Sequence, residues 1–200
     1  PAAVAGAPPA ALGALPVSAL RDLNIKGAIK VGDLHYAGLD LSKVAVGITA
    51  KDAQLRLSPL QANLYEGSYT GDIRIDARKD LPVMYLNEQV SNLDADALFK
   101  ALKVSTGALD LRRGRTSMTL KTTVTTDAAG KSVRADGIEL SGQVSGRAFS
   151  GGAVPIKLRG DIALDLSTSR ASVKKASAQF GELEVAGDLD THFAPGQLQY

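Results

Sequence analysis

The sequence has no cysteine and no tryptophan, and only 4% of its 200 residues are aromatic. Without cysteine, the chain has no disulfide framework, no thiolate metal site and no cysteine nucleophile. With so few rings, it offers few platforms on which sugars or nucleic-acid bases stack. These absences leave aliphatic side chains as its main means of recognition.

An excess of one charge and long apolar runs are missing as well. The 23 basic and 21 acidic residues give a net charge of +2. That is too little to neutralise a phosphate backbone, so we expect no nucleic-acid partner. No apolar stretch reaches the roughly 18 residues of a transmembrane helix, and the first residues lack the pattern of a signal peptide. We therefore expect any membrane anchor or signal to lie outside this sequence.

Motifs for catalysis and metal binding do not occur. Neither His35 nor His192 has partners at metal-ligand spacing, and there is no phosphate-binding loop, dinucleotide fingerprint or nucleophile elbow. Carboxylates such as Asp33 and Asp72 fall at predicted turns, where aspartate usually binds local backbone donors. We expect no metal, no cofactor and no enzymatic activity. A glycan-processing enzyme with an unrecognised carboxylate pair is the alternative that this leaves open.

The sequence does have period-two alternation of apolar and polar residues. Between residues 23 and 31, for example, Leu23, Ile25, Ile29 and Val31 fall on one side of an extended strand, and Lys26 and Lys30 on the other. Turn signals such as Gly32-Asp33 and Asp136-Gly137 recur about every 8 to 12 residues, which predicts about 12 antiparallel strands. Residues 17–23 and 92–103 predict short helices. The expected fold is mainly β: a long antiparallel meander, curled into a groove or a partly open sandwich, with one or two short helices.

One segment of the chain recurs without a gap. Residues 46–73 match residues 162–189 at a constant offset of 116, with apolar positions in register. Such repeats are typical of sheets that grow by addition of similar units. We predict a Pro- and Ala-rich linker or tail over residues 1–17, a first β module over 18–105 with a helix near 92–103, and a second, related module over 106–200.

Two local patterns predict irregular structure. Pro59, with Tyr65 and Tyr69, interrupts an otherwise regular strand and predicts a bulge or an edge that bends the sheet. The tripeptide Arg159-Gly160-Asp161 occurs in adhesion proteins, but its position before an alternating run predicts a turn or the start of a strand.

Two blocks, residues 23–34 and residues 51–73, resemble the AsmA family of bacterial envelope proteins, and residues 107–200 are similar to its strand repeats more loosely. The resemblance implies a protein anchored in the inner membrane of a Gram-negative bacterium and reaching into the periplasm. It also implies a long, curled sheet whose aliphatic groove carries phospholipid toward the outer membrane. In that family the stretch that corresponds to residues 20–105 lies toward the end of a much longer chain, followed by further repeats. We therefore expect an excerpt or a rearranged piece, with a seam near residues 103–109.

The leading hypothesis is a periplasmic β-groove that shields the acyl chains of phospholipid or another acyl-chain lipid. Partners would also include the inner membrane, through an anchor absent from this chain, and other envelope proteins. A basic hairpin with Arg112, Arg113 and Arg115 is either a headgroup contact or a solvated turn. The predicted lipid-facing wall consists of Ile25, Ile29, Val46, Ile48, Leu55, Leu57, Ile73, Ile162, Leu164, Val173 and Val185.

Alternation by itself fits a closed core at least as well. The rival hypothesis is therefore a closed β-sandwich scaffold that binds another envelope protein through an edge strand. Only the family resemblance favours the groove.

Overall fold

The computed structural model describes residues 17–36, 38–101, 112–127, 131–150 and 152–192. Within these ranges, 10 strands form one antiparallel sheet in the order β1 to β10. The strands are Ile25–Tyr36 (β1), Leu39–Lys51 (β2), Gln54–Leu64 (β3), Gly67–Asp76 (β4), Val83–Asp94 (β5), Arg115–Thr126 (β6), Ser132–Ser145 (β7), Ala153–Asp165 (β8), Arg170–Phe180 (β9) and Leu183–His192 (β10). The helices are Val17–Asp22 (α1), Ala95–Ala101 (α2) and a 3-10 turn at Arg147–Phe149.

The sheet is a meander in which each strand pairs with its neighbours in sequence, and among the described residues β1 and β10 are its edge strands. The predicted fold class is thereby confirmed. The sheet is continuous from β5 to β6, whose paired residues run from Val83 and Thr125 to Asp94 and Arg115. Residues 1–16 of the predicted linker, the end of the predicted helix at residues 102–103 and the predicted seam lie outside the described residues.

Several glycines that predicted turns lie inside strands. Gly32-Asp33 falls within β1, and Asp136-Gly137 falls within β7 at a shift of register. Gly137 has a φ of 61°, a value that a bulge and a hairpin turn can both require, so sequence alone does not separate the two. This is one reason why the described residues form 10 strands and not about 12 as predicted.

Bulges recur along the sheet, and side chains of neighbouring strands satisfy their backbone donors. The Gly137 N–H donates to Asp161 Oδ1 at 2.8 Å, and the Lys175 N–H donates to Asp188 Oδ1 at 2.8 Å. The bulge predicted at Pro59 is present, since the β3–β4 register shifts between Leu57 and Leu60.

Residues 159–161 lie within β8, where the β8–β9 register shifts. The predicted turn or strand start is therefore wrong. Asp161 instead holds the β7 bulge and binds Lys175 Nζ at 3.0 Å.

The internal repeat is a repeated hairpin. Adding 116 to the residue numbers of β3 and β4 gives the bounds of β9 and β10. The pairing also matches: Leu57 pairs with Ile73, and Val173 pairs with Leu189. Both hairpins carry their bulge at the same place, in β3 and in β9.

The strand before each hairpin does not keep that register. Leu57 pairs with Ile48 of β2, whereas Val173 pairs with Ile162 of β8, two residues earlier than the repeat predicts. The turns differ accordingly, since Lys51 pairs with Gln54 across a two-residue turn while Asp165 pairs with Arg170 across a longer one. A shift of two residues keeps every side chain on its own face.

Tight packing is confined to small clusters at the two ends of the strands. Leu20 of α1 packs on Ile75 and Ala77 at one end. Leu98 of α2 packs on Leu64 and Leu93 at the other. Helix α2 is held in place by its N-cap, because the Ala97 N–H donates to Asp94 Oδ1 at 2.9 Å.

A third cluster joins Ala95, at the start of α2, to Val144 of β7. In the part of the chain that the structure describes, the core is thus divided among the strand ends and does not form one continuous layer.

Candidate functional site

The strand register separates the side chains into two faces of the sheet. We call the mainly aliphatic one the apolar face and define it by two rows of directly paired residues that cross all 10 strands. The central row is Ile29, Val46, Leu60, Gly71, Glu88, Leu120, Leu140, Leu158, Ala178 and Val185. The lower row is Ile25, Ala50, Leu55, Ile75, Met84, Val124, Ala135, Ile162, Val173 and Leu189.

All the residues proposed as a lipid-facing wall lie on this face. Ile25, Ile29, Val46, Leu55, Ile162, Val173 and Val185 belong to the two rows, and the rest are paired with residues on the same face: Ile48 with Leu57, Leu57 with Ile73, and Leu164 with Val133. The register therefore places on one face residues that are up to 164 positions apart in sequence, with Ile25 and Leu189 at the two ends of one row. Their facing toward lipid stays a prediction.

Exposure along the apolar face is uneven. In the lower row, α1 covers the middle, so that Ile75 is 5% exposed. In the central row, Leu158 is 40% exposed and Val185 is 60% exposed. The face is most open across β8 to β10, with a second open strip on β1, where Ile29 is 53% exposed.

Glu88 is the charged residue that interrupts the central row. The Tyr69 hydroxyl, on the neighbouring strand, donates a hydrogen bond to Glu88 Oε2. Glu88 Oε1 is buried and has no hydrogen-bond partner in the described part of the chain. Burial, and then the bond to Glu88, raise the pKa of Tyr69 above its ordinary value.

Gly71, paired directly with Glu88, leaves the space that this carboxyl group occupies. A methyl group at residue 71 would overlap both Glu88 Oε2 and the Tyr69 hydroxyl. The glycine, the glutamate and the tyrosine thus form one unit in the middle of the apolar face. Sequence reasoning missed Glu88, although the alternation Met84, Leu86, Glu88 and Val90 placed it at an inward position.

The opposite, polar face is covered by ion pairs. Arg56 Nε donates to Asp72 Oδ1 at 3.1 Å, and this guanidinium lowers the pKa of Asp72. Arg74 lies over the Tyr85 ring at 4.4 Å from its centroid. Exposed pairs of this kind are ordinary on a solvated protein surface. A large exposed apolar surface is not, so the apolar face is the candidate binding surface.

The predicted basic hairpin lies at the α2 end of the sheet. Arg112 and Arg113 are exposed in the turn before β6, and Arg115 begins that strand. Arg115 is engaged within the protein, since its guanidinium binds Glu66 Oε2 at 2.5 Å.

Among the described residues, no group of three histidine, cysteine or carboxylate side chains could hold a metal ion. His35 Nδ1 lies 2.7 Å from Asp40 Oδ1, and both side chains are exposed. This pair borders a cleft of about 840 Å³ that β1 to β5 form at the α2 end, lined mainly by polar residues.

The fold and this face define a class: an open, single-layer antiparallel sheet that presents an aliphatic surface extending over all of its strands. The chain belongs to the AsmA family, whose family model matches residues 17–190, and the resemblance seen in the sequence is confirmed. The family is associated with the bacterial envelope, and membership suggests envelope-related lipid transport. No curated protein and no solved structure matches the chain. Within the described ranges, no helix has the length and hydropathy needed to cross a membrane.

Proposed function

We propose that the apolar face shields phospholipid acyl chains in the periplasm, as part of transfer toward the outer membrane. The observation that carries this proposal is the pair of mainly aliphatic rows that cross the described sheet and stay open over β8 to β10. A face of this kind is too large to be left in water without a ligand. The chemistry needed is burial alone, so the protein acts without catalysis.

The dimensions and energies suit an acyl chain. Strands spaced by about 4.8 Å make a sheet of 10 strands roughly 43 Å across. Each buried methylene contributes about 0.8 kcal/mol, so about 14 methylenes contribute up to about 11 kcal/mol before ordering and lost bilayer contacts are subtracted. The net binding free energy is smaller than this upper bound, so the face could both bind an acyl chain and release it.

The polar headgroup would stay near the rim of the face. Arg112, Arg113 and Arg115 lie at the α2 end, where their positive charge suits the phosphate of a phospholipid, and Arg115 also binds Glu66. The partners would be phospholipid or another acyl-chain lipid, other envelope proteins and the inner membrane through a separate anchor. The closed-sandwich alternative has less support, because the sheet is not closed and Leu158 and Val185 are open to solvent.

A charge placed in the open part of the central row tests the proposal. Leu158→Asp should abolish binding of a fluorescent fatty acid while the protein keeps its fold, because a carboxylate at a 40% exposed position stays hydrated. Ser141→Asp is the matched control: it adds the same charge on the polar face of β7, next to Leu140, the partner of Leu158. It should bind as the unchanged protein does.

Binding would be followed by fluorescence, folding by circular dichroism, and co-purified lipid by native mass spectrometry. If Leu158→Asp unfolds the protein, position 158 lies in a sealed core and the groove proposal is wrong. Equal binding by the two variants would also contradict it.

A further inference from the structure

β1 and β10, which are the edge strands in the described part of the chain, have complementary chemistry. Each presents a charged, small, charged pattern on the polar face: Lys26, Ala28 and Lys30 on β1, and Glu184, Ala186 and Asp188 on β10. All six residues are exposed. An edge strand also carries unpaired backbone N–H and C=O groups, which can bind a further strand.

We propose that a second copy of this chain adds its β1 to the β10 edge, head to tail. The sheet has 10 antiparallel strands, so β1 and β10 run in opposite directions. A second copy placed beside β10 with its apolar face on the same side therefore meets it as an antiparallel neighbour, like every other pair in the sheet. The apolar face continues from one copy into the next.

One register pairs opposite charges on the polar face and aliphatic residues on the apolar face at the same time. If Lys30 lies opposite Glu184, Lys26 lies opposite Asp188 on the polar face. On the apolar face, the aliphatic residues then pair as Ile25 with Leu189, Ile29 with Val185, and Val31 with Leu183. A register shifted by two residues in either direction places one of the two lysines opposite Ala186.

The alternative edge pairings are unfavourable. Two β1 strands would bring the lysines of both copies together, and two β10 strands would bring the carboxylates together; like charges on facing strands are destabilising. Inside the sheet, Lys26 and Lys30 face Thr49 and Ala45, which carry no charge. A carboxylate of the second copy would give each lysine a cross-strand partner of opposite charge, which β2 does not supply.

The aliphatic residues at these edges are among the most exposed of the described chain. Ile25 is 48% exposed and Ile29 is 53% exposed on β1, while Leu183 is 65% exposed and Leu189 is 57% exposed on β10. Pairing of the two copies places the aliphatic residues of β1 beside those of β10. A single added strand buries less area than a standard stable interface, so the assembly should be weak and depend on concentration.

A charge swap at residues 30 and 184 tests the register. Asp188 already lies 3.7 Å from Lys174 Nζ, so the Lys30–Glu184 pair is the cleaner one to reverse. Lys30→Glu and Glu184→Lys should each weaken self-association about tenfold or more, because each places like charges opposite one another. An equimolar mixture of the two variants should associate again, since each then meets an edge of opposite charge.

Sedimentation velocity over a range of protein concentrations and salt would measure the effect, with circular dichroism to show that each variant is folded. Lys157→Glu is the matched control, because Lys157 lies on the polar face of an inner strand, opposite Ser141 and Gln179. It should associate as the unchanged chain does.

The proposal is overturned if the unchanged chain stays monomeric at every concentration. It is also overturned if the swapped variants associate normally alone, or if mixing them restores nothing.

Discussion

Replacing Tyr69 with phenylalanine probes the polar unit in the middle of the apolar face. The change keeps the ring and removes the hydroxyl that donates to Glu88 Oε2. Glu88 Oε1 already has no partner in the described structure, so the carboxyl group would lose the one hydrogen bond that the described chain gives it. A hydrogen bond to a carboxylate contributes about 1.5–3 kcal/mol. Tyr69→Phe should therefore cost about 2 kcal/mol of the free energy of unfolding.

For a chain of this length, a loss of about 2 kcal/mol corresponds to a decrease in Tm of about 4–8 °C. Urea unfolding followed by circular dichroism would measure the free energy, and calorimetry the Tm. A cost below about 0.5 kcal/mol would refute the reasoning, because the hydroxyl would then make no net contribution in this environment.

Glu88→Leu completes a double-mutant cycle with Tyr69→Phe. The double variant Tyr69→Phe with Glu88→Leu should regain most of the lost stability, because it removes both polar groups and leaves an apolar pair. It also makes the central row aliphatic apart from Gly71. Fatty-acid binding by this double variant should be at least as strong as that of the unchanged protein.

Two further predictions concern stability at the ends of the strands. Leu93 is fully buried between Leu64 and Leu98, so Leu93→Ala should cost about 3 kcal/mol in urea unfolding; a cost below about 1 kcal/mol would show that α2 is loosely packed. Hydrogen bonds from Ser167 and Thr168 lower the pKa of Asp165 from 3.8 to about 2. A carboxylate whose pKa is lower in the folded than in the unfolded protein stabilises the fold above the unfolded pKa, and this stabilisation is lost as the pH falls toward 2. Asp165→Asn should therefore lower Tm at pH 6 and flatten the decrease in Tm between about pH 4 and pH 2, and parallel Tm curves for the two proteins would contradict this.

The sequence predicted those features of the fold that depend on neighbouring residues in the chain, such as strand periodicity and helix capping. Alternation alone was enough to place Ile25, Ile29 and Val46 on a common face, because a period of two is the geometry of the strand itself. The helix at residues 95–101 was predicted within 92–103, because its aspartate cap and apolar spacing are local features.

Features that depend on neighbouring strands could not be predicted in this way. The pair Asp136-Gly137 predicted a turn because glycine readily adopts the positive φ that turns and bulges both require. Only the pairing of β7 with β6 and β8 shows that Gly137 lies in a bulge. The Glu88 site depends on Tyr69 and Gly71, which are 19 and 17 residues away and meet it only through the β4–β5 register. The extent of cover by α1 and α2 is likewise a property of the assembled sheet.

The repeated hairpin shows how such a chain can lengthen. Its two copies share register and bulge although the turn before the second copy is longer, and the resulting slip is an even number of residues. A slip of one residue in place of two would turn the apolar side of one strand toward water unless a bulge compensated. Natural variation in the register of these hairpins should therefore favour shifts of an even number of residues.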